Sequence, residues 1–141
     1  MSIIVREYHT SDYSGLIALL GKVYGAKTPQ DVLEKQYLTA SRSILVAADE
    51  RGEIVGSTFV EIQEDFIRPG RVAFVTYVAV DEQCRKQGIG RKLMLSAEEI
   101  GKANNCSAIE LTSADFRVGA HAFYASLGFT KKKTTVFIRE L

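Results

Sequence analysis

At 141 residues with 46% hydrophobic composition, the chain is sized for a single domain, residues 1–141, that buries its own core without staples. A formal net charge of +1, from 18 basic and 17 acidic residues, excludes a generally nucleic-acid-binding surface, and two cysteines, Cys84 and Cys106, make neither a disulfide framework nor a metal cluster. The longest apolar stretch, Val72 to Val80, is far too short to span a bilayer, and the N-terminus lacks the apolar core of a signal peptide, so no membrane partner and a cytoplasmic location are expected.

In chain order, Ser2 to Tyr8 reads as a strand with Ile3 and Val5 alternating, and Thr10 caps a helix from Ser11 to about Tyr24 that carries Leu16, Leu20 and Val23 on one side. Gly25 stops that helix. Thr28-Pro29 then supplies the cap and first residue of a second helix through about Leu38. Three strands follow, about Ser43 to Ala48, Glu53 to Gln63 and Arg71 to Val80, with turns at Arg51-Gly52 and Arg68-Pro69-Gly70. A helix from Gly88 to about Asn104 shows Ile89, Leu93, Ala97 and Ile100 on one face. After it come a strand over Ala108 to Thr112, a helix over Arg117 to Leu127, and closing strands near Phe129 to Lys132 and Thr134 to Glu140. The order predicts an α+β fold: a mixed, mostly antiparallel sheet of about seven strands with helices on both faces. Open edges of such a sheet invite pairing into a homodimer.

The junction between the Val80 strand and the Gly88 helix carries the chemistry. The first N–H groups of a helix lack intrahelical partners and carry the positive end of the macrodipole, so anions settle there. Gly88 and Gly90 let backbone approach an anion closely, and Arg85, Lys86, Arg91 and Lys92 crowd a helix end where cations are otherwise disfavoured. A polyanionic ligand is therefore expected. A dinucleotide G-x-G-x-x-G turn would require glycine where Leu93 stands, and no G-x-x-x-x-G-K-[ST] loop occurs.

What remains, Arg85-x-x-Gly88-x-Gly90 after a short apolar strand, resembles the acetyl-CoA pyrophosphate loop of the GCN5-related N-acetyltransferase (GNAT) family. A second segment, Arg117-Val118-Gly119-Ala120-His121-Ala122-Phe123-Tyr124-Ala125-Ser126-Leu127-Gly128-Phe129, is similar to the family's late N-x-x-A-x-x-F-Y-x-x-x-G-F element. On a helix, Phe116, Ala120, Phe123 and Leu127 fall at core spacing beside a polar stripe of Arg117, His121 and Tyr124. The combination of Arg117, His121 and Tyr124 with Lys131 to Lys133 and Phe137-Ile138-Arg139 looks like a subgroup of aminoalkylphosphonate and other small-amine acetyltransferases.

The resemblance implies that the strands ending at Val80 and Thr112 splay apart and admit the pantetheine arm of acetyl-CoA, which pairs with the main chain of Val78, Ala79 and Val80. Backbone amides of Arg85, Lys86, Gln87, Gly88, Ile89, Gly90 and Arg91 would cradle the pyrophosphate. The implied reaction is direct attack of a primary amine, on a small molecule, upon the thioester in a ternary complex, with Tyr124 as the acid for the departing thiolate. Arg117 stands where many relatives have an asparagine touching the cofactor arm, and it suits either the cofactor's phosphates or a substrate anion. Thr76 and Tyr77 occupy the positions where many relatives carry a carboxylate base, which leaves Glu61, Glu64, Asp65 and His121 as candidates. Cys84 beside Arg85 and Lys86 is expected to have a lowered pKa, but it sits at the pyrophosphate end, so direct transfer is favoured over an acyl-cysteine route. The alternatives are a protein or peptide N-acetyltransferase, for which the acidic residues Glu61, Glu64 and Asp65 could attract a basic segment, and a non-catalytic acetyl-CoA-binding module.

Overall fold

The computed structural model describes residues 2–67 and 70–141. Its elements run β1 (Ile4–Glu7), a 3₁₀ turn (Thr10–Asp12), α1 (Tyr13–Tyr24), α2 (Gln30–Tyr37), β2 (Arg42–Ala48), β3 (Ile54–Glu64), β4 (Arg71–Val80), a second 3₁₀ turn (Glu82–Cys84), α3 (Ile89–Ala103), β5 (Cys106–Leu111) and α4 (Val118–Ser126). One mixed sheet has the order β1-β2-β3-β4-β5, antiparallel except for the parallel β4–β5 pair.

Two apolar layers sandwich that sheet. On one face α3 packs Ile89, Leu93, Met94 and Ala97 against Val60, Ala73 and Val75. On the other, α1 and α2 pack Leu16, Leu19, Leu20 and Leu33 against Ile44, Val46 and Phe59. These are the 3.6-residue stripes read from the sequence, each seated on an alternating strand face. Gly25 ends α1 at φ 71°, a left-handed conformation that glycine adopts without a Cβ clash. The entry to α1 differs from expectation: the buried Asp12 carboxylate, and not Thr10, closes the turn by accepting from the His9 N–H at 2.7 Å. Arg6 then donates to both of its oxygens, at 2.7 and 2.9 Å.

The sheet has five strands among the described residues, not about seven. Residues 129–141, expected to form two closing strands, have no strand pairing. Val136, Phe137 and Ile138 are 80%, 91% and 82% exposed, so their high β-propensity is spent on no partner. Propensity describes fit to a pleated, half-buried surface and does not create a strand without one. The Arg68-Pro69 part of the second expected turn lies outside the described residues. Among them, no helix is long and apolar enough to cross a membrane.

Candidate active site

The site begins at an irregularity in β4. Ser57 pairs with Ala79 and Phe59 pairs with Thr76, so β4 fits one more residue than β3 into that interval. The extra residue forms a bulge at Tyr77, whose φ of 51° lies in the left-handed region, an arrangement costing a bulky side chain roughly 1–2 kcal/mol. A bulge reverses side-chain parity. Before it, Ala73 and Val75 face the α3 layer; after it, Ala79 faces the α1 layer while Val78 and Val80 turn to α3. Pairing between β4 and β5 stops at Val75–Leu111, so among the described residues β4 from Thr76 to Val80 has no strand partner on its β5 side. β5 ends at that pair, so what the structure shows is β4 running on past the end of β5, from just before the bulge.

The Tyr77 ring lies edge-on to Tyr24 at 5.8 Å and to Phe59 at 5.2 Å, and Phe59 meets Tyr37 at 4.9 Å. These four rings make an aromatic wall on the α1–α2 side of the opening. The Tyr24 hydroxyl donates to the Val78 carbonyl at 2.9 Å, tying α1 to the bulged strand and occupying one of the main-chain groups expected to meet a pantetheine arm.

Beyond β4 the chain passes Asp81, whose carboxylate accepts from the Gln83 N–H at 3.0 Å, and reaches α3 through Gly88 at φ 78°. Among the described residues, the seven main-chain N–H groups from Arg85 to Arg91 donate to nothing in the chain. Nor do Arg85, Lys86, Arg91 and Lys92 form an ion pair. Arg85 turns its Nε back onto the Val80 carbonyl at 3.4 Å, and the remaining donors and positive charge gather at the positive end of a 15-residue helix. Gly90 plays a part that the sequence did not reveal: a Cβ there would lie 3.0 Å from Phe123 Cζ, so its bareness seats α4 against the start of α3.

That contact carries Tyr124, half-buried between Phe123 at 5.3 Å and Phe129 at 5.9 Å, to the same opening. Burial pushes its phenol above the ordinary tyrosine value and nearby Tyr24 adds to the shift, while Arg117 opposes it. Tyr124 is therefore protonated at neutral pH. Arg117 caps α4 and lies over the Tyr24 ring at 5.4 Å and the Phe116 ring at 5.9 Å. Phe116, expected in the core, precedes the helix and is 80% exposed.

The profile of the Acetyltransferase (GNAT) family matches residues 5–129. The chain belongs to that family. It is 37% identical over 79 residues to the glucosamine 6-phosphate N-acetyltransferase of Trypanosoma brucei brucei, covering 55% of this chain and 52% of that one. It is 25% identical over 123 residues to an aminoglycoside N(6')-acetyltransferase type 1 of Stenotrophomonas maltophilia, covering 85% and 80%. The chain spans about half the length, or less, of the first curated relatives it matches: 52%, 43% and 34%. A solved acetyltransferase of Trypanosoma brucei superposes with a TM-score of 0.86 at 26% identity, over 99% of this chain and 100% of that one. AAC(6')-Iy in complex with the bisubstrate analogue CoA-S-monomethyl-acetylneamine gives 0.88 at 15% identity, over 100% and 99%, and at that identity it speaks for the fold alone.

As a GNAT chain, it has unusual candidates for the base. Glu61 lies 3.5 Å from Arg42, whose guanidinium sits over Tyr37 at 5.5 Å, so it stands at the far end of the aromatic wall from Tyr124. Glu64 pairs with Arg71 at 2.9 Å near the end of β3, away from the bulge. His121 places Nε2 2.9 Å from the Ala114 carbonyl, an acceptor that requires a donor, so that nitrogen carries a proton and is committed to the preceding loop. Cys84 reverses expectation: burial, then Asp81, Asp49 and Glu53, raise its pKa, and the adjacent cations do not lower it. Sequence reading also passed over Tyr24, the last residue of α1, although at i+4 from Leu20 it continues that helix's Leu16–Leu20 stripe.

Proposed function

We propose that this GNAT protein is an acetyl-CoA-dependent N-acetyltransferase that transfers the acetyl group to the primary amine of a small molecule by direct attack in a ternary complex. The observation that carries this reading is the convergence, where β4 runs on past the end of β5, of seven N–H groups that are unengaged among the described residues, four cations without an ion pair among them, and the protonated Tyr124 phenol. The loop suits a pyrophosphate. The stretch of β4 from Thr76 to Val80 beyond β5 suits an extended arm that adds as a strand, an arm that has to share the Val78 carbonyl with Tyr24 and the Val80 carbonyl with Arg85.

The reaction then balances as follows. The amine nitrogen, freed of its proton, forms a bond to the thioester carbonyl carbon, and the carbonyl electron pair moves onto oxygen, where a main-chain N–H near Ala79 or Val80 stabilises it. Collapse breaks the carbon–sulfur bond. The departing thiolate takes the Tyr124 proton, which burial keeps on the phenol until that moment, and the second proton that the nitrogen sheds as the amide forms restores the phenol. Glu61, at the far end of the wall, accepts the ammonium proton through water before attack, since neither Thr76 nor Tyr77 is a carboxylate. The raised Cys84 pKa supports direct transfer over an acyl-cysteine intermediate.

The test is calorimetric titration with acetyl-CoA, followed by thiol release across free amines, amino sugars and short peptides, for the wild type and Tyr124→Phe. Turnover on a free amine, reduced in the variant while acetyl-CoA still binds, supports the proposal. Turnover on peptides alone transfers the reading to a protein acceptor, and binding with no turnover on any amine makes the protein an acetyl-CoA-binding module.

A further inference from the structure

Resting on the acetyltransferase reading, we propose that the acceptor is an anionic amine: a small molecule whose primary amine lies near a carboxylate, phosphonate or phosphate, with Arg117 binding that group against the Tyr24 wall. Three observations converge on Arg117. Its guanidinium lies over the rings of Tyr24 and Phe116. Among the described residues, its side-chain N–H donors meet no acceptor and no carboxylate pairs with it. Tyr24 ties that stack to the carbonyl of Val78, directly after the bulged residue, where the transfer takes place.

A guanidinium held over an aromatic face keeps its donor edge free, and that fork matches two oxygens of one anion. The surrounding charges leave the role to Arg117. Arg42, at the other end of the wall, is already shared with Glu61, Lys132 is bound to Glu110 at 3.0 Å, and His121 is bonded to the Ala114 carbonyl. The cations from Arg85 to Lys92 lie around the start of α3, where the coenzyme's phosphates are proposed to sit, whereas Arg117 is on α4 beside Tyr24 and Tyr124. A polycationic acceptor would meet this arginine unscreened, which disfavours it.

The experiment measures kcat and KM on matched acceptors with and without the anion: β-alanine and 2-aminoethylphosphonate against ethanolamine, and glucosamine 6-phosphate against glucosamine. Wild type, Arg117→Gln and Arg117→Lys are compared. The expected result is a wild-type preference for the anionic members that collapses in Arg117→Gln, through an acceptor KM raised roughly 10- to 100-fold, the worth of a charge-assisted pair. Arg117→Lys restores part of the preference, and the acetyl-CoA KM changes little. Carboxylate against phosphonate within the anionic set identifies the oxyanion. Equal use of charged and neutral members overturns the inference while leaving the acetyltransferase reading intact. A rise in the acetyl-CoA KM equal to that of the acceptor also overturns it, returning Arg117 to the cofactor. If no amine is turned over, the acetyltransferase reading is what fails. Calorimetry of the same anionic amines on the coenzyme A complex then decides the inference: binding lost in Arg117→Gln upholds it and no binding refutes it.

Discussion

Gly56 couples the core to the start of α3, where the coenzyme's phosphates are proposed to sit, and replacing it with alanine isolates that coupling. A Cβ at this position of β3 would lie 3.0 Å from Ile89 Cγ2, 3.1 Å from Leu93 Cδ1 and 3.2 Å from the Ala79 carbonyl oxygen. Carbon contacts are optimal near 3.5–4.0 Å, so α3 has to retreat by roughly half an ångström or the β4 backbone has to yield. Both responses strain the site: Ile89 and Leu93 are fully buried and begin the helix whose N–H groups face the loop, while Ala79 lies on the unpaired stretch of β4. Overpacking of this kind costs about 1–3 kcal/mol. For a domain of this size that corresponds to a fall in melting temperature of roughly 3–10 °C. Displacing the first turn of α3 also weakens acetyl-CoA binding, and a loss of roughly tenfold in Kd is expected, read by calorimetry beside thermal melts. Gly119→Ala is the control, because nothing lies within 4 Å of a Cβ there. On helix propensity alone it stabilises by up to about 1 kcal/mol. A Gly56→Ala protein that melts and binds as the wild type does would refute the claim that this contact sets the height of α3 over the sheet.

Tyr124→Phe is expected to lower kcat by roughly 10²-fold or more with acetyl-CoA affinity preserved, the contribution of a placed general acid; an unchanged kcat removes Tyr124 from the reaction. The wild-type rate is expected to hold on the alkaline side beyond the ordinary tyrosine value of 10.0, since burial raises this phenol, and a pH–rate profile of kcat reports it. Asp12 is held below the usual carboxylate range by its bonds from Arg6. Its contribution is therefore fully present above the ordinary aspartate value of 3.8 and is lost as pH falls through the depressed one. Asp12→Asn should cost about 2 kcal/mol at pH 7, less than a fully buried pair because Arg6 is 33% exposed, and the difference in melts should shrink toward pH 3. Ser57 Oγ is fully buried and lacks a hydrogen-bond partner among the described residues, so Ser57→Ala is expected to stabilise by about 1 kcal/mol in denaturant unfolding.

The parts legible in the sequence were those governed by local rules. Leu16 to Val23 and Ile89 to Ala97 repeat at helical spacing because each helix has one face on the sheet, and Gly25 and Gly88 stand where φ is positive. The loop proposed for the coenzyme drew notice for a local reason too, being one contiguous stretch with an uncompensated charge pattern. What stayed hidden depends on contacts between distant segments. No local signal shows that Gly90 answers Phe123, that Tyr24 answers Val78, or that the Val136–Ile138 run lacks a partner.

Tyr77 is the instructive case, because reading Thr76 and Tyr77 as a strand that lacks a carboxylate assumes regular alternation. The bulge removes that assumption: at φ 51° the Tyr77 side chain leaves the pleat and joins Tyr24 and Phe59 as a wall of the opening. On the proposed reading position 77 shapes the acceptor side, and the strain it carries is held by packing against α1 and β3. Proton removal then falls to a group outside β4, which makes Glu61→Gln the decisive variant for the base. The ion pair with Arg42 spans 3.5 Å between residues each more than a third exposed, so its loss costs little stability. A kcat/KM that falls roughly 10²-fold near pH 7, with the deficit narrowing as rising pH deprotonates the amine without help, would place the base at Glu61. A deficit that is constant with pH would assign Glu61 to positioning Arg42, and no deficit would leave the apolar wall itself to deliver the free amine.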